Sequence, residues 1–131
     1  MSRHRDNRGF TLIELLIVVV IIGILASIAI PKFASTKEKA FVATMKSDLR
    51  NLVTAQEGYL GDNGTYYAGG IPNATFPYRG STGSTVTIVS ATPGGWQATI
   101  SYSATPKTCA VFYGNIGPLA PATTNGEPKC T

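Results

Sequence analysis

Residues Gly9–Pro31 read GFTLIELLIVVVIIGILASIAIP, and the fold turns on how this stretch is read. From Phe10 to Ile30 its only charged residue is Glu14. A helix rises ~1.5 Å per residue, so about 20 residues match the ~30 Å hydrocarbon layer of a bilayer. A chain of 131 residues holds one modest domain, and this run is too apolar and too long to be its ordinary core. It is expected to pass through a membrane stage, leaving roughly a hundred residues for a globular part.

Glu14 is the anomaly, because a carboxylate in the apolar part of a bilayer costs roughly 2.5 to 3.5 kcal/mol on insertion scales. One reading is that it snorkels to the headgroups. The other is that it waits for a positive charge from another chain. Within its own chain the nearest candidates are Arg8 and, if the segment before Phe10 is removed, the new α-amino group.

Working outward, residues 1–9 (MSRHRDNRG) are short, polar and basic, and read as a leader. On the other side the helix pattern continues, with Phe41, Met45, Leu49, Leu52, Val53 and Leu60 at spacings of mostly three and four. That predicts an amphipathic helix with Lys37, Lys46, Asp48 and Arg50 on its wet side. Pro31 removes one backbone donor and predicts a kink rather than a stop, and Gly23 is a second weak point. Gly61, Asn63 and Gly64 predict the helix end near residue 60. A helix from Phe10 to Leu60 would be about 75 Å long, more than a head of this size can bury.

Residues 61–84 are rich in Gly, Tyr, Asn, Thr and Pro and read as a long ordered loop. Three strands are predicted after it, at Val86–Ser90, Trp96–Ser103 and Thr108–Tyr113, with turns at Thr92–Gly95 and Ala104–Lys107. The tail 114–131, carrying Pro118, Pro121 and Pro128, reads as loop tied back by Cys130. The expected fold class is therefore α+β: a long N-terminal helical spine whose C-terminal half packs on a small antiparallel meander spanning 85–113. Its expected parts are a removable leader (1–9), an apolar transmembrane or assembly helix (10–34) and a globular head (35–131).

Cys109 and Cys130 lie in the half predicted to leave the cytoplasm, where oxidation is allowed. A disulfide is expected, and closing its loop of roughly 22 residues would contribute about 3 kcal/mol in the chain-entropy picture. Two unpaired buried thiols are the other reading. A metal site fits less well, since no His or acidic cluster sits beside them.

Composition excludes several functions. The formal charge is +4, but beyond residue 60 only Arg79, Lys107 and Lys129 are basic, against Asp62 and Glu127. No basic surface for direct nucleic-acid binding can be built from that. The only histidine, His4, lies in the leader, no serine sits in a nucleophile-elbow sequence, and paired carboxylates are absent, so no catalytic residues, metal or cofactor are expected. Trp96, Tyr66, Tyr67, Tyr78 and Tyr102 read as core aromatics rather than a stacking surface. Asn63-Gly64-Thr65 and Asn73-Ala74-Thr75 fit the glycosylation pattern, which chance supplies often.

Arg8-Gly9-Phe10-Thr11-Leu12-Ile13-Glu14, with a basic leader before it and a long apolar run after it, resembles the processing site of type IV prepilins. Ordinary secretory signals are cut on the far side of their apolar segment instead. The resemblance continues through Gly23 and Pro31 into Leu60-Gly61-Asp62-Asn63-Gly64-Thr65-Tyr66, and the C-terminal cysteine pair shares the family's architecture. It implies that a membrane prepilin peptidase and methyltransferase cuts after Gly9 and N-methylates Phe10. It also implies that Glu14 pairs with the N-terminal amine of a neighbouring copy, in an assembly segment that includes Thr11 and Pro31. An unpaired charge in apolar surroundings would make the registered neighbour favourable and a slipped one costly. The helix between Gly23 and Pro31 is expected to loosen in the filament.

The resemblance thus implies a homopolymer, a precursor in the inner membrane, inner-membrane assembly machinery, and an extracellular pilus with adhesion- or motility-type roles. An alternative within the superfamily is a pseudopilin of a type II secretion system. Such major pseudopilins carry a calcium site in the C-terminal loops and usually lack the disulfide. Asp62 and Glu127 are few carboxylates for calcium, and the cysteine pair favours a pilin. A more remote alternative is a secreted soluble domain cut near Ser27-Ile28-Ala29, against which stand the length of the run, Glu14 inside it, and Pro31 at the second position after the cut.

Overall fold

A computed structural model describes residues 9–131. The leader residues before Gly9, with Arg3, His4, Arg5 and Arg8, lie outside the described residues. The element order is α1 (Leu12–Asn63), β1 (Ser84–Thr92), β2 (Gly95–Tyr102), β3 (Thr105–Gly114) and β4 (Lys129–Cys130). The chain divides after Thr36 into two compact units.

In the first unit α1 begins after Thr11 and runs on through Pro31, which removes a donor from the ladder without ending the helix. Hydroxyls flank that position: Ser27 Oγ donates to the Ile24 carbonyl at 2.7 Å and Thr36 Oγ1 to the Lys32 carbonyl at 2.9 Å. Such back-bonding satisfies the hydroxyls within the helix by sharing its carbonyl acceptors, and it tends to bend a helix rather than stiffen it.

The second unit is built on the amphipathic part of α1. Met45, Asp48, Leu49, Leu52 and Gln56 form its buried face at the expected spacing of three and four. They pack against Val86, Trp96, Ala98, Ile100, Cys109 and Val111 of an antiparallel sheet ordered β1-β2-β3-β4. The helix reaches Asn63, three residues past the expected end, and Gly64 stops it at φ 71° with its N–H on the Leu60 carbonyl at 2.8 Å.

All three predicted strands are present; β1 and β3 are longer than expected, since pairing extends them beyond their β-branched centres, while β2 keeps its length and starts one residue earlier. Ser84 and Thr85 join β1 by pairing with Tyr102 and Ser101, and Thr105 joins β3 opposite Tyr102. The connections shrink to Pro93-Gly94 and Ser103-Ala104. At the first of them β3 ends on Gly114 at φ 81°, where a Cβ would run into the Gly94 carbonyl. The unforeseen β4 pairs Cys130 with Cys109 and Lys129 with Ala110, and the expected disulfide joins the first of those pairs.

Four consecutive residues of β3, Cys109 to Phe112, are buried because both faces of the strand are covered. Cys109 and Val111 face the α1 core, while Ala110 and Phe112 meet Ala122, Ile116 and Leu119 from the tail. The tail is thus a packed layer as well as a loop tied by Cys130.

The loop 64–83 is fixed by the helix through two buried polar residues. Gln56 Nε2 donates to the Tyr67 carbonyl at 2.9 Å, and the Tyr67 N–H donates to Gln56 Oε1 at 2.8 Å. Asp48 accepts from the Ser81 N–H at 2.9 Å and the Ser81 hydroxyl at 2.8 Å, and its carbonyl accepts from the Tyr78 hydroxyl at 2.8 Å. Asp48 is only 5% exposed, which overturns its expected place on the wet face. The loop returns the favour with aromatics: Tyr66, Tyr67, Phe76 and Tyr78 are all buried, as is Trp96, while half-buried Tyr102 stacks on Phe41 at 4.8 Å. The expectation that these aromatics are core holds.

Candidate functional site: the apolar helix and its N-terminal cap

The residues singled out around the helix start come together because they are neighbours in sequence. Gly9, Phe10 and Thr11 precede the helix, and Phe10 is 86% exposed. Thr11 is the N-cap of α1: the Glu14 N–H donates to Thr11 Oγ1 at 3.3 Å, while Glu14 Oε2 accepts from both the Thr11 N–H and the Thr11 hydroxyl at 2.9 Å. This reciprocal arrangement is a capping box, satisfying two helix-end donors that would otherwise be orphaned. Both Thr11 bonds fall on one carboxylate oxygen, and among the described residues Oε1 accepts none. One oxygen therefore fixes the side chain and the other remains for a partner.

The cap was legible in the sequence, since Thr11-Leu12-Ile13-Glu14 has the required Thr and Glu three apart. The attention drawn by the charge of Glu14 hid its local role. Pro31 lies 17 positions further along α1, and the Cys109–Cys130 disulfide belongs to the other unit.

Beyond the cap the helix presents apolar side chains and nothing of its own unit to bury them. Leu12, Ile13, Leu15 to Ile22, Ile24, Leu25, Ile28, Ile30 and Phe33 are all exposed. It is the one helix among the described residues long and apolar enough to cross a membrane. An exposed apolar surface of this extent marks a membrane or protein contact. Among the described residues no three His, Cys, Asp or Glu side chains gather, so nothing there offers a donor set for a metal.

The arrangement is chemically suited to association rather than to bond making: an apolar column with one preset carboxylate oxygen at its end. The stretch that carries it is similar in sequence to known proteins. The family described as the prokaryotic N-terminal methylation motif matches residues 4–30. The type IV major pilin protein PilA of Myxococcus xanthus is 50% identical over 60 residues, covering 46% of this chain and 27% of that protein. The type II secretion system core protein G of Escherichia coli is 46% identical over 66 residues, and that of Pseudomonas aeruginosa 41% over 64. These two matches take in 50% and 49% of this chain and 46% and 45% of those proteins. The matched stretch therefore spans less than half the length of each of these relatives. Methylation motif and relatives agree that the N-terminal half of the chain is similar to type IV pilins and type II secretion pseudopilins alike.

Proposed function

We propose that this chain is the structural subunit of an extracellular type IV pilus, polymerising through its apolar helix after removal of residues 1–9. The observation that carries the reading is the contrast between a head whose core is complete and a helix whose apolar side chains from Leu12 to Phe33 are uncovered. Copies of the same helix supply the natural cover, first replacing the membrane that holds the precursor.

In this reading Gly9 is the residue after which the peptidase cuts, being small and lying outside the helix, and Phe10 becomes the methylated N-terminus. Glu14 accepts the amine of the neighbouring copy through the oxygen that the cap leaves unused. Thr11 holds that carboxylate in place. Pro31, which removes one donor from the ladder of α1, marks the segment that loosens on packing. The precursor sits in the inner membrane, is processed by the peptidase and methyltransferase, and is taken up by membrane assembly machinery; the finished filament stands on the cell surface. The disulfide, which holds the tail against β3, suits a head exposed to the medium.

A second reading is a pseudopilus subunit of a type II secretion system. The specific observation in its favour is the identity of 41–46% to relatives named core protein G of such systems. Mass and N-terminal peptide analysis of the protein from sheared surface and membrane fractions tests both. A chain beginning at N-methylated Phe10 and abundant in the sheared fraction is the expected result. The same N-terminus confined to the cell envelope would favour the pseudopilus, and a chain beginning near Ile30 and free in the medium would overturn both.

A further inference from the structure

Two runs, Asn63-Gly64-Thr65 and Asn73-Ala74-Thr75, carry the pattern of an asparagine glycosylation site. The sequence ranks them equally, and the fold separates them. Asn63 is the last residue of α1, and its Nδ2 already donates to the Tyr59 carbonyl at 3.1 Å. Thr65 beside it is half-buried.

Asn73 is held differently. Its Oδ1 accepts from both the Thr75 N–H at 2.9 Å and the Thr75 hydroxyl at 2.8 Å. These two bonds fix the plane of the side chain, and among the described residues Nδ2 donates to nothing. A carboxamide nitrogen is ordinarily a poor nucleophile, because its lone pair is shared with the carbonyl. Two donors on the oxygen draw charge towards it and make the Nδ2 protons easier to remove.

The surrounding loop puts the asparagine within reach of an enzyme. Buried Tyr67 and Phe76 stack with ring centroids 4.4 Å apart and close the segment between them into a projection held at its base. From Ala68 to Thr75 every residue except Ile71 is exposed. A transferase can therefore engage the whole pattern without opening the core, and a bulky group on Asn73 displaces no packed atoms.

We propose that Asn73 is an N-glycosylation site, modified by a membrane transferase that draws an oligosaccharide from a polyprenyl diphosphate carrier. Nδ2 forms a bond to the anomeric carbon of the first sugar. The bond from that carbon to the diphosphate oxygen breaks, its electron pair leaving with the diphosphate, and one Nδ2 proton passes to a carboxylate of the transferase. Thr75 is the positioning residue, acting through the amide oxygen of Asn73. The inference needs the head to be exported, which both readings above share, and does not depend on polymerisation.

The test is made on the full-length protein recovered from the membrane and extracellular fractions of its native host. Trypsin leaves both asparagines on one peptide, residues 51–79, and electron-transfer fragmentation assigns a sugar mass to one of them. A glycan on Asn73 is expected, at an occupancy at least about tenfold above that of Asn63, which must first give up a hydrogen bond to react. Asn73→Gln and Thr75→Val should each remove the glycan while the head stays folded, because both positions are exposed, and Thr75→Ser should retain it. Should a variant lose its fold, the peptide from the unaltered chain still decides the matter. Unmodified Asn73 in both fractions, equal occupancy at Asn63, sugar confined to serine or threonine, or full modification of folded Thr75→Val would each overturn the proposal.

Discussion

The two halves of α1 are chemically opposite uses of one helix. Up to Thr36 nearly every large apolar side chain is exposed, and after Lys37 the apolar positions sink into a core shared with three strands and a loop. The first half has only a local means of support, the capping box, and its burial must come from outside its own unit. The second half draws its stability from contacts far apart in sequence. A mutation in one half should therefore damage association, and a mutation in the other should damage folding.

The largest separation is expected from Glu14→Ala. Filament yield in sheared fractions should fall by at least about tenfold, while membrane insertion and the melting of the head stay as in the unaltered chain. Wild-type yield would remove the pairing role assigned to Glu14. The opposite case is Trp96→Ala, which empties the centre of the head core. It should destabilise the head by about 3 to 5 kcal/mol in denaturant unfolding and leave retention of α1 in the membrane unaffected. Loss of membrane retention in this variant would mean that the two halves are not independent.

Asp48→Ala is intermediate in size. It leaves the Ser81 N–H and hydroxyl without their acceptor, and a cost of about 1 to 3 kcal/mol is expected, with hydrogen exchange rising first around residues 78–84. Thr11→Val should cost about 1 kcal/mol, visible only as fraying of the first turn of α1 and not in head stability. The mildest test is alkaline titration. Burial, and then the Glu57 carboxylate that accepts its hydroxyl at 2.8 Å, push Tyr66 up to about 12. Its neutral form is the one the fold favours, so its contribution is fully present below the ordinary tyrosine pKa near 10 and is lost as pH rises from there through about 12. Head stability should be flat below that window and fall within it, and Tyr66→Phe should make the fall shallower.

Legibility in the sequence followed the range of the interactions. The helix, its apolar half, the three main strands and the cysteine pair rest on local periodicity or on compartment, and all were readable. So was the cap, a pattern of four residues. Asp48 was misread because its charge argued for solvent, although it stands three residues after Met45 and four before Leu52, on the apolar face. What permits it there is Ser81, 33 positions away, and no window of local sequence contains that fact. Strand β4 was invisible for a similar reason: Lys129 and Cys130 have no strand character of their own and take it from the register with Ala110 and Cys109. The buried layer of Ala122 and Leu119 was hidden behind prolines that mark the tail as loop.

The paired bonds between Gln56 and Tyr67 carry a mechanical consequence. A side-chain amide that both donates to and accepts from one peptide unit imitates a rung of a β-ladder, so the loop is coupled to the helix by two parallel links at one residue and three more at Asp48. The loop and this part of α1 should therefore move as one body, and local opening of the head should begin where such cross-links are missing.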